Sequence, residues 1–150
     1  MKQNILDRHA ALQIVSRVQL LQPTDEGRWG MMTATEMLKH CNLANTQILE
    51  GERTQPKTTL KQYLLRILSL YIVPRFPKNM QGAPANDTSG TISDTRFYYE
   101  REQFIKTIMK FPANRKPLTL SHIAFGNIST RQWGKAAWMH MDHHLRQFGV

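Results

Sequence analysis

The chain has 150 residues, of which 41% are hydrophobic, and this length and composition predict one globular domain over residues 1–150. No apolar run approaches the roughly 20 residues that span a bilayer, and no secretion signal is recognisable, so we expect a cytoplasmic protein with no membrane partner. The single cysteine, Cys41, excludes an intramolecular disulfide and is typical of a reducing compartment.

The formal net charge is +9, from 20 Lys and Arg residues against 11 Asp and Glu residues. Six basic residues lie in a stretch without an acidic residue: Arg53, Lys57, Lys61, Arg66, Arg75 and Lys78. Such a stretch is able to bind nucleic acid, or the carboxylate or phosphate of a small substrate. The positive charges lack an alternation with stacking aromatic residues, so we interpret them as a solvated helix face and do not expect nucleic acid as a partner.

Apolar periodicity and capping residues predict an all-α fold. The first helix is expected from Lys2 to about Leu21, and the second from Thr33, which forms a capping box with Glu36, to about residue 50. The remaining predicted segments are a short additional helix at 58–73, a long loop at 74–92, a helix from 93 or 94 to 110 stopped by a proline, an irregular connection at 111–128 and a last helix at 129–149. Together they predict a four-helix bundle with one additional short helix and a long loop.

The last predicted helix has histidines on its inward face. Its apolar stripe, spaced at i, i+4, i+7, i+11 and i+14, is Trp133, Ala137, His140, His144 and Gln147. Histidines four residues apart lie about 6 Å from each other along the helix axis, so both are able to reach one metal ion. The alternative is a pair of buried histidines that bond to their neighbours. His143 offers a competing i, i+3 pair with His140, and we assign it to a flank because the i, i+4 pair keeps both rings on the stripe.

A third ligand is expected on the second helix, where His40 lies on the stripe formed with Met37 and Ala44. Cys41 is a soft donor in principle, but it points about 100° around the helix from His40, and a lone buried cysteine generally behaves as a small hydrophobe. Glu36, four residues before His40, is a candidate to orient the ring, although the capping box competes for the same carboxylate.

One further histidine, His122, lies in the predicted connection between the last two helices. A histidine in a loop is able to contact a substrate or to support a ligand, but most are solvated. We therefore assign no role to His122.

Several motifs together resemble one family. They are Trp29-Gly30-Met31-Met32-Thr33-Ala34, Glu36-Met37-Leu38-Lys39-His40-Cys41, Ala124-Phe125-Gly126, Trp133-Gly134 and His140-Met141-Asp142-His143-His144-Leu145-Arg146-Gln147-Phe148-Gly149. The chain resembles, over most of its length, a bacterial branch of the DinB/YfiT-like superfamily. The resemblance implies a four-helix bundle in which His40 from the second helix and the pair His140 and His144 from the last hold a divalent metal. The sequence departs from the family pattern at Ile123, where the family has proline.

Three neutral imidazoles leave at least one coordination position open, as in catalytic metal sites. An ion with an open position lowers the pKa of a thiol or a water and so provides a nucleophile. The resemblance implies transferases or isomerases that use bacillithiol, mycothiol or glutathione. We therefore expect a metal-dependent enzyme that acts on a small molecule. The expected metal is zinc or nickel, with iron or manganese as alternatives. Hydrolysis by metal-bound water would use the same ion and the same three ligands. No catalytic residue beyond the ligands is identified.

The second hypothesis belongs to another class of protein. It is a non-enzymatic metal-binding or stress-associated protein that uses its basic surface for an anionic partner. A homodimer is compatible with both hypotheses. Loss of a thiol-consuming activity in a His140→Ala variant would favour the enzyme.

Overall fold

The structure is a computed structural model, and it describes residues 3–78 and 84–150. Within these residues the chain is mostly helical, which confirms the predicted helical class, and the strands form one short hairpin. The elements are α1 (Arg8–Leu20), α2 (Ala34–Glu50), α3 (Leu60–Ile67), α4 (Phe97–Ala113), β1 (Ser121–His122), β2 (Gly126–Asn127) and α5 (Thr130–Gln147). A π-helical turn, Leu68–Ile72, continues α3, and 3₁₀ turns lie at Pro84–Asn86 and Asp94–Arg96.

The capping boxes predicted for α2 and α5 are confirmed. The Thr33 hydroxyl accepts the N–H of Glu36 at 3.3 Å, while the Glu36 carboxylate accepts the N–H of Thr33 at 2.8 Å. Ser129 and Gln132 make the same reciprocal pair at the start of α5. Each box satisfies two of the N–H groups that a helix start leaves unpaired, so short-range sequence fixes where both histidine-bearing helices begin.

The first helix is shorter than predicted. It begins at Arg8, because the Asp7 carboxylate accepts the N–H of Ala10 and caps the helix there. Lys2, the predicted start, lies outside the described residues. Leu12, within this helix, is exposed.

The fourth helix runs past its predicted end at Lys110. It continues through Pro112 to Ala113, although a proline lacks the N–H that would bond to the carbonyl of Ile108. Phe111, directly before the proline, is fully buried. Its packing holds that residue in the helix against the preference of a pre-proline residue for extended backbone.

The four long helices surround one hydrophobic core. Helix α4 packs against α1 and α2, and α5 packs against the same two helices. All four contribute fully buried side chains, among them Ile14, Met37, Leu38, Phe104, Phe111 and Met141. The contact between α2 and α5 brings together the two helices that carry the predicted ligands.

Helix α3 and its π-helical turn lie at the periphery, as the additional helix was predicted to do. Leu70 is fully buried beneath them. Leu65 is half-buried and packs against the core. The remaining large apolar side chains of α3 and its turn are exposed, and we call them the α3 stripe: Leu60, Tyr63, Leu64, Ile67, Leu68, Tyr71 and Ile72. Most of the apolar side chains of this segment therefore point into solvent.

The two connections differ in regularity. The described part of the predicted loop at 74–92 has no regular element longer than a 3₁₀ turn, and residues 79–83 lie outside the described residues. The connection at 111–128, predicted as irregular, contains an antiparallel hairpin that pairs Ser121 with Asn127 and His122 with Gly126. Strands of two residues are too short to leave an alternating pattern in the sequence. None of the helices within the described ranges has the length and apolarity needed to cross a bilayer.

Candidate metal centre

The structure brings together the three histidines that the sequence predicted as ligands. Nε2 of His140 lies 2.9 Å from Nε2 of His40, on the neighbouring helix α2, and 3.2 Å from Nε2 of His144, one turn further along α5. One nitrogen from each ring lies within 4.8 Å of the other two. The residues are close enough to bind one metal ion.

The tautomer of His40 is fixed by its outer contact. Its Nδ1 lies 2.7 Å from the backbone carbonyl of Asn86. A carbonyl oxygen only accepts hydrogen bonds, so Nδ1 carries the hydrogen of the neutral ring. The lone pair of His40 is then on Nε2, the atom that faces the other histidines.

The tautomer of His144 follows from the orientation of Gln147. The Gln147 amide nitrogen donates to the Trp29 carbonyl at 2.6 Å, so its amide oxygen faces Nδ1 of His144, at 2.8 Å. That oxygen only accepts, and Nδ1 of His144 therefore carries the hydrogen. The lone pair of His144 also lies on Nε2, toward the centre of the cluster.

Two lone pairs thus converge on Nε2 of His140. A hydrogen on that atom would bond well to one of them, because a good hydrogen bond is nearly linear. The second lone pair would then stay poorly satisfied in a largely buried cluster. A divalent ion accepts electron pairs from all three rings, so the donor set fits a metal better than it fits buried histidines that bond only to each other.

Burial keeps the three rings neutral. Burial, together with the neighbouring His40, lowers the pKa of His144 to about 3. Burial also holds the pKa of His140 well below its ordinary value, with His144 and His40 adding to the shift. The pKa of His40 is lowered by burial, which outweighs the Asn86 carbonyl and Asp87. Neutral imidazole is the form that binds metals, so the site is ready for an ion near pH 7.

With this geometry in view, comparisons with known proteins give one result. The family described as "Protein of unknown function (DUF1569)" matches residues 1–149. The chain belongs to the DUF1569 family. No curated protein and no solved structure matches it.

A small cavity of this DUF1569 protein lies beside His144. Its volume is about 110 Å³, and the lining residues are Trp29, Gly30, Met31, Met32, His143, His144 and Gln147. His140 is only half-buried, so the cluster is not sealed from solvent. A small reactant therefore has room beside His144.

Gly30 lines this cavity and also lies against Gln147, the residue that orients His144. Its φ is +79°, and a Cβ built there would lie 2.6 Å from the amide nitrogen of Gln147. A side chain at position 30 would displace the amide that orients His144. Glycine is required at position 30 because its φ is positive and because a Cβ would contact the Gln147 amide.

Three other candidates from the sequence lie outside the cluster. His143 flanks it, as predicted, and packs edge-on against Trp29 at 5.6 Å between ring centroids. Cys41 is buried against the sulfur of Met37, and burial raises the pKa of its thiol far above the usual range, which keeps it protonated. The suggestion that Glu36 orients His40 is wrong, because its carboxylate accepts the backbone N–H groups of Thr33 and Gly90.

His122 has a structural role that the sequence did not indicate. Its Nδ1 accepts the N–H groups of Ala124 and Phe125, at 3.0 and 3.2 Å, and its ring stacks on the Phe125 ring at 4.0 Å. Burial lowers the pKa of His122 to about 4, which preserves the acceptor. The residue shapes the hairpin turn rather than being solvated.

Sequence reasoning also missed the residues that orient the ligands. Asn86 acts through a backbone carbonyl, and any residue type supplies one. Gln147 was placed on the inward stripe of α5, but its bond to His144 was not inferred. An i, i+3 spacing between a histidine and a glutamine on a buried helix face is the pattern that points to such a contact.

Proposed function

We propose that this protein is a metal-dependent enzyme in which His40, His140 and His144 hold a divalent ion. The reaction that the site favours is the activation of a low-molecular-weight thiol, or of water, for attack on a small electrophile. The observation that carries the proposal is the convergence of three imidazole nitrogens, two of which present lone pairs fixed by their outer hydrogen bonds.

We also propose that the fold is a DinB/YfiT-like four-helix bundle. Four long helices around one core, with a peripheral α3, agree with that architecture. The distribution of ligands supports it as well, since one histidine comes from the second helix and a His-x-x-x-His pair from the last. Because shared fold does not define chemistry, the reaction is argued from the site itself.

The residues around the cluster position the ligands and shape the space beside them. The Asn86 carbonyl and the Gln147 amide hold two rings by their Nδ1 atoms, which sets ring orientation and strengthens the donor nitrogens. When bound, the ion would supply the positive charge that lowers the pKa of a thiol or water. Trp29 and Met32 form an apolar wall of the cavity, which suits the uncharged part of a small reactant.

The donor set also limits the choice of metal. Imidazole nitrogen suits zinc, nickel, iron and copper, whereas magnesium and calcium prefer carboxylate and carbonyl oxygens. The metal-binding group in the described residues consists of three histidines without a carboxylate. We propose zinc or nickel, with iron and manganese as alternatives to be tested.

The first test measures metal content. Purified protein, its His140→Ala variant and a His9→Ala control are each dialysed against zinc or nickel and analysed by mass spectrometry for bound metal. His9 is exposed on α1 and is therefore a matched histidine outside the cluster. We expect about one ion per chain for the native protein and the control, and a loss of at least about a hundredfold in affinity for His140→Ala. Equal binding by all three proteins would contradict the proposed site.

The second test measures turnover. Glutathione, bacillithiol and mycothiol are each mixed with a haloarene or an epoxide, and esters and amides are tested for hydrolysis, with each metal in turn. We expect one reaction to depend on added metal, to be abolished in His140→Ala and to be retained in His9→Ala. If metal binds but no thiol is consumed and no bond hydrolysed, the protein is a metal-binding protein without this activity.

A further inference from the structure

Helix α3 presents Gln62, Arg66 and the half-buried Leu65 to the protein, and its other large apolar side chains to solvent. On the inner side, the Gln62 amide donates to the Ile123 carbonyl at 3.2 Å, and the Arg66 guanidinium donates to the Asn127 carbonyl at 3.0 Å. Both acceptors belong to the hairpin and its turn. A surface helix ordinarily has the opposite orientation, with its apolar face on the core.

The outward side carries the α3 stripe, which is continuous. Its residues follow the spacing i, i+3, i+4, i+7, i+8, i+11 and i+12 from Leu60 to Ile72, so they form one ridge about 18 Å long. Scattered exposed leucines are normal on a protein surface, but a contiguous apolar ridge of this size marks an interaction site.

Exposed basic side chains lie within and next to this segment of the chain: Lys57 before α3, Lys61 in it and Arg75 after the π-helical turn. Lys78 is also exposed, but its ammonium lies 4.8 Å from the centre of the Trp29 ring, at the cavity beside His144. The sequence has no Asp or Glu between Glu52 and Asp87. The surface is therefore both apolar and strongly positive.

Two cations lie directly over the tyrosines of the ridge. The Arg66 guanidinium is 4.7 Å from the centre of the Tyr63 ring, and the Lys135 ammonium is 4.1 Å from the centre of the Tyr71 ring. Tyrosines with an apolar ring and a polar hydroxyl favour the boundary between an apolar layer and water. The positive charges lie at the same boundary, next to the apolar side chains.

The positive charge of this surface indicates which kind of partner would cover the α3 stripe. A second copy of the chain, related by a two-fold axis, would bring the same basic segment against itself, and like charges repel. An anionic surface with an apolar interior complements both properties at once. A lipid bilayer that contains anionic headgroups has this chemistry.

We propose that α3 and its π-helical turn bind the surface of an anionic lipid bilayer. The α3 stripe enters the boundary between headgroups and acyl chains, and the surrounding lysines and arginines contact headgroup phosphates. The expectation of no membrane partner rested on the lack of a spanning segment, and a helix lying in the plane of the interface needs none. The proposal does not depend on the metal centre.

The test is co-sedimentation with vesicles. The native protein is mixed with vesicles of phosphatidylcholine alone, or of phosphatidylcholine and phosphatidylglycerol at about three to one. We expect binding at least about tenfold tighter to the anionic vesicles, and weakening when the salt concentration rises from about 50 to about 500 mM.

Matched leucine pairs locate the binding surface. Leu64 and Leu68 of the stripe are 60% and 47% exposed, while Leu20 and Leu12 of α1 are 65% and 43% exposed. Replacing Leu64 and Leu68 by serine should weaken vesicle binding at least about tenfold, because the apolar groups that enter the bilayer are lost. Replacing Leu12 and Leu20 by serine should change it less than about twofold. All four side chains are exposed, so both variants should fold.

A second comparison tests the charges. Lys57→Gln combined with Lys61→Gln should weaken binding to anionic vesicles about 25-fold, since each cation near such a surface strengthens binding about fivefold. Lys110→Gln combined with Lys116→Gln removes two exposed lysines elsewhere and should have a smaller effect. The His140→Ala variant should bind vesicles as the native protein does, which separates this proposal from that of the metal centre.

Three results would overturn the proposal. One is the absence of binding to anionic vesicles, and another is an equal loss for the two leucine pairs. The third is a concentration-dependent dimer in sedimentation velocity that the Leu64 and Leu68 substitutions dissociate, without vesicle binding by the native protein. That last result would identify a second copy of the chain as the partner of the stripe.

Discussion

Helices α3 and α5 begin in the same way but meet their surroundings differently. Each starts with a capping box, formed by Thr59 and Gln62 in α3 and by Ser129 and Gln132 in α5. Helix α5 buries polar rings and amides inside the protein, whereas α3 exposes leucines and tyrosines to solvent. Both helices therefore have a face whose polarity does not match its environment.

The comparison shows how a mismatch of this kind points to a partner outside the chain. Burying polar groups costs free energy unless they are bonded, and α5 recovers part of that cost through the Gln147 contact with His144. The lone pairs in the centre of the cluster are what a metal would satisfy. Exposing a long apolar ridge also costs free energy, and covering the α3 stripe would recover it.

Low pH should destabilise the metal-free protein, because the histidines of α5 and His40 of α2 are neutral in the folded state. Histidines in an unfolded chain have a pKa near 6.5, whereas burial lowers the pKa of His144 to about 3 and also lowers the pKa values of His40 and His140. The unfolded state therefore takes up protons that the folded state does not. The stability that the neutral rings contribute is fully present above about pH 6.5 and is lost as the pH falls toward the folded values.

The slope of that loss is measurable. Each histidine that is neutral when folded and protonated when unfolded lowers the free energy of unfolding by up to about 1.4 kcal/mol per pH unit. Urea denaturation of metal-free protein at about pH 7.5, 6 and 5 should show the fall, and His140→Ala should show a shallower one. A flat profile would contradict the neutral, buried state of the rings.

Replacing one leucine on α5 and one on α3 tests the difference in burial between the two helices. Leu145 of α5 is fully buried, and Leu145→Ala should lower the free energy of unfolding by about 2–5 kcal/mol, because it leaves a cavity. Leu64 of α3 is 60% exposed, and Leu64→Ala should change stability by less than about 0.5 kcal/mol. Chemical denaturation of both variants measures the difference. A large loss for Leu64→Ala would mean that the stripe is covered in the isolated protein.

An effect smaller than that of Leu145→Ala is expected for Gln147, a residue that supports a ligand. Gln147→Leu removes the acceptor for Nδ1 of His144 and the donor to the Trp29 carbonyl, at similar volume. Metal affinity should fall about 10- to 100-fold, as is usual when an outer partner of a ligand is lost. Titration against a competing chelator measures it, with Gln19→Leu, an exposed glutamine of α1, as the control. Unchanged affinity would show that Gln147 does not orient His144.

The sequence was sufficient for the parts of the molecule that depend on short-range pattern. The capping boxes fixed the starts of α2 and α5, and the spacing along each helix placed His40, His140 and His144 on inward faces. Once two such faces pack together, the histidines meet. The convergence could therefore be anticipated without knowledge of the tertiary structure.

The parts that depend on tertiary contacts could not be anticipated. Periodicity shows that α3 has an apolar face, but it does not show that the polar side, through Gln62 and Arg66, bonds to the hairpin. The role of Glu36 was misjudged for a related reason. The N–H of Gly90, which is 54 residues away in sequence, competes for that carboxylate and cannot be seen from an i, i+4 spacing.

The separation of the ligands along the chain has a consequence for folding. His40 and His140 are 100 residues apart in sequence, yet their nitrogens lie 2.9 Å from each other. An ion held by both would cross-link the chain and close a loop of that length, as a disulfide would do in a chain with more than one cysteine. In the chain-entropy description, closing a loop of about 100 residues is worth about 4.7 kcal/mol through the unfolded state. Metal bound in this way would fasten the last helix to the second, and its removal should lower the free energy of unfolding of the whole bundle.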